Sequence, residues 1–189
     1  MSDIHTLVLV EGDSDAAAVR ALASLFGRDL DPGSIRICAA GGVTNFSQVL
    51  SEFVRAHPRA SFCGLYDIAE ERHVRRALTR AAVPSAAHEP LESFGFFACV
   101  ADLEDELIRA LGAEAVQQVI EAQDELASFR RFQAMPHHRL TPVGQQLRRF
   151  LGTRATRKIR SARHLVERLD VDRLPRPLMQ LAARLFDGP

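Results

Sequence analysis

Four short apolar runs, each separated from the next by enough chain for a helix, constrain this protein more than any other feature. They are HTLVLV (5–10), SIRICAA (34–40), ASFCGLYD (60–67) and SFGFFACVA (93–101). Each is too short for a buried helix and is rich in β-branched or aromatic residues, which marks strands. Their apolar residues are largely consecutive, as in strands covered on both faces. The connections are long enough to cross over, so the strands run parallel under covering helices. Helical spacing fills those connections. Ser14 starts a helix with Ala17, Ala18, Leu22, Leu25 and Phe26 on one side and Gly27 at its end. A Gly41-Gly42 turn precedes a helix over 43–56, with Phe46, Val49, Leu50 and Phe53 inward. Further helices are expected over 69–82 and over 102–123, the latter broken near Gly112.

Beyond residue 125 the strands stop. Segments 143–151, 156–169 and 176–186 read as Arg-rich helices punctuated by Pro136, Pro142, Pro175 and Pro177. The expected organisation is an α/β domain over 1–125 with a basic helical C-terminal extension, 126–189, packed on it. The net charge of zero hides this split. Residues 1–125 hold ten arginines against twenty acids, while 126–189 hold fourteen basic residues against four acids. An acidic part joined to a basic one suits a metal-binding face beside a polyanion surface, or two parts that attract each other. The three cysteines, Cys38, Cys63 and Cys99, lie in strand-like runs with no zinc-site spacing and read as buried reduced thiols of a cytoplasmic protein. No segment has the length and composition of a signal peptide or a membrane span. His137-His138, beside Pro136, reads as a surface pair.

In an open parallel sheet, ligands bind at the carboxyl ends of the strands. Here those ends carry acids. Strand one ends at Glu11, with Asp13 and Asp15 just after it. Strand three ends at Asp67, followed by Glu70 and Glu71, and strand four at Asp102 and Glu104, followed by Asp105 and Glu106. Carboxylates crowded at one edge need a cation or raised pKa values. An oxygen-only ligand set suits Mg²⁺ or Mn²⁺. Asp13 and Asp15 also suit the start of a helix on dipole grounds, and Asp105 and Glu106 suit a solvated helix face. Glu11 and Asp67 have no such alternative role, each ending an apolar strand.

LVEGDSD (9–15), GLYD (64–67) and VADLEDELI (100–108), in that order on a four-stranded parallel unit, resemble the Toprim domain. The nearest resemblance is to the Toprim half of the OLD (overcoming lysogenisation defect) nucleases. There an acid-Gly-x-x-acid element is followed by an aspartate motif, a DLE motif and a basic helical tail with a lysine. LRRFLGTRATRKIRSARHLVERL (147–169) is similar to that tail. The resemblance implies a Toprim-like Rossmannoid sheet and a divalent-metal-dependent nuclease. Glu11 would be metal ligand or general base, Asp15 the second acid of its element, Asp67 the first aspartate of a DxD motif, and Asp102 and Glu104 the DLE acids. Lys158, the one lysine among 24 basic residues, would be the tail lysine that offsets phosphate charge.

This sequence departs from the pattern at Ala69, where the second DxD aspartate is expected. Glu70 is adjacent, but a one-residue shift turns a helical side chain by about 100°. One metal ion or two therefore stays open. Nucleic acid, with DNA as the expected form, would be held without sequence reading by Arg148, Arg149, Arg157 and Arg160. GGVTN (41–45) would approach a phosphate through backbone N–H groups and Thr44, or Thr44 would simply cap the helix. No GxxxxGK[ST] loop is present, so ATP-driven action would need a separate ATPase partner. Two other readings remain: a non-catalytic, metal-stabilised nucleic-acid or protein adaptor, with Ala69 marking a decayed site, and a nucleotidyl transferase.

Overall fold

The computed structural model describes residues 4–31 and 33–186. Its sheet has four parallel strands in the order β2-β1-β3-β4: β1 (Thr6–Val10), β2 (Ile35–Ala39), β3 (Ser61–Asp67) and β4 (Phe96–Cys99). The registers pair Val10 with Ala39, Leu9 with Gly64, and Asp67 with Cys99, so the carboxyl ends of all four strands lie along one edge. Helices α1 (Asp13–Leu25), α2 (Phe46–Ala56), α3 (Glu71–Arg80), α4 (Leu103–Leu111) and α5 (Ala113–Glu121) follow the strands as expected, and α6 (Leu126–Ala134), α7 (Val143–Leu151), α8 (Ala155–Glu167) and α9 (Arg176–Phe186) come after them without further strands among the described residues.

The pleat sends alternate residues of each strand to opposite faces. Val8, Val10, Cys63, Leu65, Phe97 and Cys99 join one core with buried residues of α1, α4, α5, α8 and α9. Leu7, Leu9, Tyr66 and Phe96 join the other, under α2 and α3. The consecutive apolar residues of the strands are thus explained by a sheet sandwiched between two helical layers. Gly64 is required by β1: a Cβ there would lie 2.1 Å from the Leu9 carbonyl oxygen.

Helix α1 departs from a simple one-sided pattern. Ser14, Ala16, Ala18, Val19, Ala21, Leu22 and Ala23 are buried, whereas Ala17, Leu25 and Phe26 are only partly covered. Small residues around the helix let α8 pack along it on one side while the sheet covers another. Strand β4 is shorter than its apolar run because Leu91–Phe94 form a 3₁₀ turn closed by Gly95 at φ +82°. Gly112, at φ +81°, separates α4 from α5 as expected. The sequence pattern missed α6: Phe129 is its only buried residue, too little periodicity to stand out. Among the described residues, no helix is long and apolar enough to cross a membrane.

Candidate active site at the carboxyl edge of the sheet

Strand β1 leaves the core at Val10, and the chain then turns through Gly12, the extended N-cap residue of α1. Glu11 projects there, half-buried. Asp15 closes the first turn, its Oδ2 accepting the Gly12 N–H at 3.0 Å. On the β2 side, Gly41 and Gly42 adopt φ +71° and +121°, conformations that glycine takes without strain. The Gly42 N–H donates to the Glu11 carbonyl at 3.0 Å, so this turn is fastened over the end of β1.

Asp67 closes β3, and Asp102 is the N-cap of α4. Both Asp102 oxygens are engaged: Oδ1 accepts the Asp105 N–H at 2.8 Å and Oδ2 accepts Arg148 Nε at 2.6 Å. Glu104 is 2% exposed. Its Oε2 lies 3.3 Å from Lys158 Nζ, while its Oε1 is buried with no hydrogen-bond partner. Lys158 reaches this point because it lies near the start of α8, which packs against α1 and α4.

Glu11, Asp15, Asp67, Asp102, Glu104 and Lys158 line one cleft of about 330 Å³, together with Gly12, Ser14, Gly41 and Gly42. Charged residues from four separate stretches of sequence are therefore brought together. A second hollow shares Asp102, Glu104 and Lys158 with the first and continues along Asp105, Gln145, Arg148, Arg149, Gly152 and Thr153. A carboxylate cleft thus opens directly into a groove of mixed charge that carries Arg148 and Arg149.

Crowding and burial leave their mark on protonation. Burial, with the charges of Glu11, Asp102, Asp15 and Glu104, pushes Asp67 up to about 7. Glu104 is pushed up to about 6, chiefly by burial and against the opposing pull of Lys158. Glu11 is raised by burial, Asp15 and Glu70, and Asp15 is raised mainly by burial. Burial alone would lower the Lys158 ammonium, but Glu104, Asp15 and Asp102 outweigh it and its net direction is upward. Lys158 is therefore a fixed positive charge at neutral pH, unsuited to act as a base.

Other sequence expectations sort differently. Arg157 does not face the groove: it is 6% exposed, with its guanidinium spent on Glu125, Thr153 Oγ1 and the Phe150 carbonyl, 4.0 Å over the Phe150 ring. Such a residue fastens α8 to the α5–α6 connection and is not free for phosphate. Arg160 is more exposed but donates to Gln123 and Glu125 at 2.7 and 2.9 Å, on that same connection. Thr44 is exposed, does not line the cleft and caps nothing; Asn45 makes the local bond instead, to the Ala40 carbonyl at 2.8 Å. Asp105 and Glu106 pair with Arg109 at 2.9 and 2.7 Å. His138 is no surface residue: it is buried and stacks on Phe132 with ring centroids 3.8 Å apart.

Ala69 is exposed in a 3₁₀ turn, and Glu70 lies 2.8 Å from His73 Nδ1. The charge of Glu70 still reaches Glu11, whose pKa it helps to raise. Among the described residues, no three His, Cys, Asp or Glu side chains converge closely enough to chelate an ion as they stand. The reason is visible at Asp102 and Glu104, whose carboxylates are turned to Arg148 and Lys158. Sequence reasoning overlooked Gln145 and Thr153, polar residues that extend the groove between arginines. Only knowledge of how α7 and α8 pack would have singled them out.

Residues 5–57 match the family model for the TOPRIM domain of overcoming lysogenization defect (OLD)-like proteins. The whole fold is similar to the C-terminal region of the Xanthomonas campestris pv. campestris OLD protein, with TM-score 0.70, 22% identity, and 99% of this chain and 97% of that one covered. It is also similar to the C-terminal region of the Burkholderia pseudomallei OLD protein, with TM-score 0.66, 21% identity, and coverage of 96% and 97%. No curated protein matches the chain.

Proposed function

We propose that this chain, which carries an OLD-like Toprim domain in the fold of OLD C-terminal regions, is a divalent-metal-dependent nuclease. The observation that carries the reading is the single cleft in which five carboxylates meet Lys158 and open into the Arg148–Arg149 groove. The donor set fits a hard divalent cation. It offers oxygen ligands only, the Asp67 carboxyl is pushed upward by burial and then by its neighbours' charge, and the buried Glu104 Oε1 has no partner. Glu11 and Asp67 would hold the ion, with Asp15 and Glu104 supplying further oxygens. Asp102, with both oxygens engaged, would mainly position Arg148. When bound, Mg²⁺ or Mn²⁺ supplies Lewis-acid stabilisation of charge on the phosphoryl oxygens.

The chain's own residues divide the remaining work. Arg148 and Arg149 hold the nucleic-acid backbone in the groove without reading bases. The Gly41–Gly42 turn walls the cleft with backbone, leaving room for a phosphate. Glu11 takes a proton from the attacking water as its oxygen bonds to phosphorus. The opposite P–O bond breaks, and Lys158 Nζ offsets the charge that develops on the phosphate and the leaving oxygen.

Supercoiled plasmid and end-labelled single strands, incubated with Mn²⁺, Mg²⁺ or EDTA, test this directly. Cleavage should require metal, vanish in Glu11→Gln and fall about 10²–10³-fold in Lys158→Ala. Equal cleavage by wild type and both variants would refute the reading. One observation favours a second reading, a non-catalytic adaptor: Ala69 stands at the second DxD position and two acids are ion-paired within the protein. Nucleic-acid binding with no metal-dependent cleavage would select it.

A further inference from the structure

Helix α3 carries a face that the nuclease reading leaves unused. Val74, Ala77 and Leu78 bury its inner side in the core shared with α2. Arg72, Arg76 and Arg80 recur at i, i+4 and i+8 on its outer side, and all three are exposed. Their neighbours are committed. Arg75 donates to Glu71 at 2.7 Å and to the Ala86 and Glu89 carbonyls at 3.2 and 2.9 Å, and His73 lies 2.8 Å from Glu70. Among the described residues, Arg72, Arg76 and Arg80 make no ion pair and no side-chain hydrogen bond. Like charges one turn apart on a helix are mutually unfavourable by a few tenths of a kcal/mol. This stripe is unneutralised although it sits in the part of the chain with twice as many acids as arginines.

Its position matters as much as its charge. α3 begins four residues after Asp67, so Arg72 lies at the carboxyl edge and the stripe runs from there down the outer face of the α2–α3 layer. Arg148 and Arg149 belong to α7, whose Leu147, Phe150 and Leu151 are part of the core on the opposite face of the sheet. Basic surface therefore flanks the acid cleft in both layers. Steps of four helical residues advance about 6 Å each, a spacing that successive phosphates of a nucleic-acid strand can follow. Planar guanidinium forks suit phosphate oxygens.

We propose that the outer face of α3 is a second backbone track, on which Arg72, Arg76 and Arg80 hold phosphates of the strand that has crossed the acid cleft from the Arg148–Arg149 groove. This rests on the nuclease reading, because a strand must occupy the cleft to reach α3. Fluorescence anisotropy of a labelled oligonucleotide in EDTA, over a range of salt, tests it with the full chain. The variants are Arg72→Gln/Arg76→Gln/Arg80→Gln, the matching triple Lys variant, and Arg76→Gln alone. Each phosphate contact contributes about 0.7–0.9 to the slope of log K against log salt. The triple Gln variant should lose about 2–3 from that slope and bind at least tenfold more weakly at moderate salt. The single variant should lose about 1, and the Lys variant should retain both affinity and slope. Thermal melts of all four proteins should coincide, since these positions are exposed and Gln is a good helix former. If wild type binds while the triple Gln variant keeps its slope, the track is refuted and the nuclease reading survives. If wild type binds no nucleic acid, both fall. Polyglutamate that binds wild type but not the triple Gln variant, with no effect of those changes on oligonucleotide affinity, would assign the stripe to an acidic peptide and overturn the proposal.

Discussion

Replacing Asp67 by Asn should make the metal-free protein more stable at pH 8, although the same change removes a carboxylate from the candidate site. Asp67 is held at about 7 in the folded protein against an ordinary value of 3.8, by burial and by Glu11, Asp102, Asp15 and Glu104. Between those two pH values the folded state binds more protons than the unfolded chain. Stability therefore falls as pH rises through this window, and the deficit is complete above about 7. A rise of this size corresponds to a ceiling of about 4 kcal/mol at 1.4 kcal/mol per pH unit. The cleft is open to solvent, and screening reduces the expected gain to about 1–2 kcal/mol. Urea unfolding in EDTA at pH 5 and pH 8 measures it: the variant's gain at pH 5 should be about a third to a half of its gain at pH 8. In Mn²⁺ the order should reverse, because the wild type then binds an ion that the variant holds poorly. An Asp67→Asn protein less stable than wild type at pH 8 in EDTA would show that Asp67 makes a net favourable contact in the folded state and that carboxylate repulsion does not govern this edge.

Three further outcomes test the framework around the site. Gly64→Ala should destabilise the protein by about 3 kcal/mol or more, because its Cβ would meet the Leu9 carbonyl in the central strand pair; a chemical denaturation midpoint near that of wild type would contradict the β1–β3 register. Arg157→Gln should cost about 1–3 kcal/mol by removing its bonds to Glu125, Thr153 and the Phe150 carbonyl and uncovering the Phe150 ring, with Glu125 keeping Arg160, whereas Arg149→Gln should leave the melting temperature unchanged and weaken oligonucleotide binding. The opposite ranking would return Arg157 to the nucleic-acid surface. Metal-free stability should also decline from pH 4 to pH 7 in wild type through Glu104, held at about 6, and Glu104→Gln should flatten that decline in the same unfolding series.

The acid half of the site was legible in the sequence because topology does the gathering. Once Glu11, Asp67 and Asp102 are placed at the ends of parallel strands, chain connectivity alone brings them to one edge, whatever the side-chain details. The strand registers, with Asp67 opposite Cys99, then fix their separation. Basic residues offered no such rule. Arg148, Arg149, Arg157 and Arg160 look alike in an Arg-rich tail, and helical periodicity does not say whether an arginine faces solvent, a groove or a carboxylate. Arg157 shows why: its burial depends on Glu125 and Phe150, partners from other elements whose approach is set by how α8 docks on α1. The same limit hid α6 and the buried stacking of His138 on Phe132. Thr44 lies outside the cleft lining, while its neighbour Asn45 bonds back across the glycine turn.

Two cations, Lys158 in the cleft and Arg148 beside it, explain how such an acidic edge folds without an ion. Five carboxylates gathered at strand ends repel one another, and that repulsion adds to burial, the larger cause, in raising Asp67 and Glu104. Arg148 on Asp102 and Lys158 on Glu104 neutralise part of it from helices that follow the sheet in sequence. The α7–α8 segment is thereby tied to the edge by the charges of the candidate site itself. A divalent ion drawn in by Glu11 and Asp67 would lessen the need for those counter-charges, leaving Lys158 and Arg148 freer to meet the phosphate that enters with it. The acidic and basic parts of the chain thus meet at this edge through the Arg148–Asp102 and Lys158–Glu104 pairs, on top of the apolar core they share.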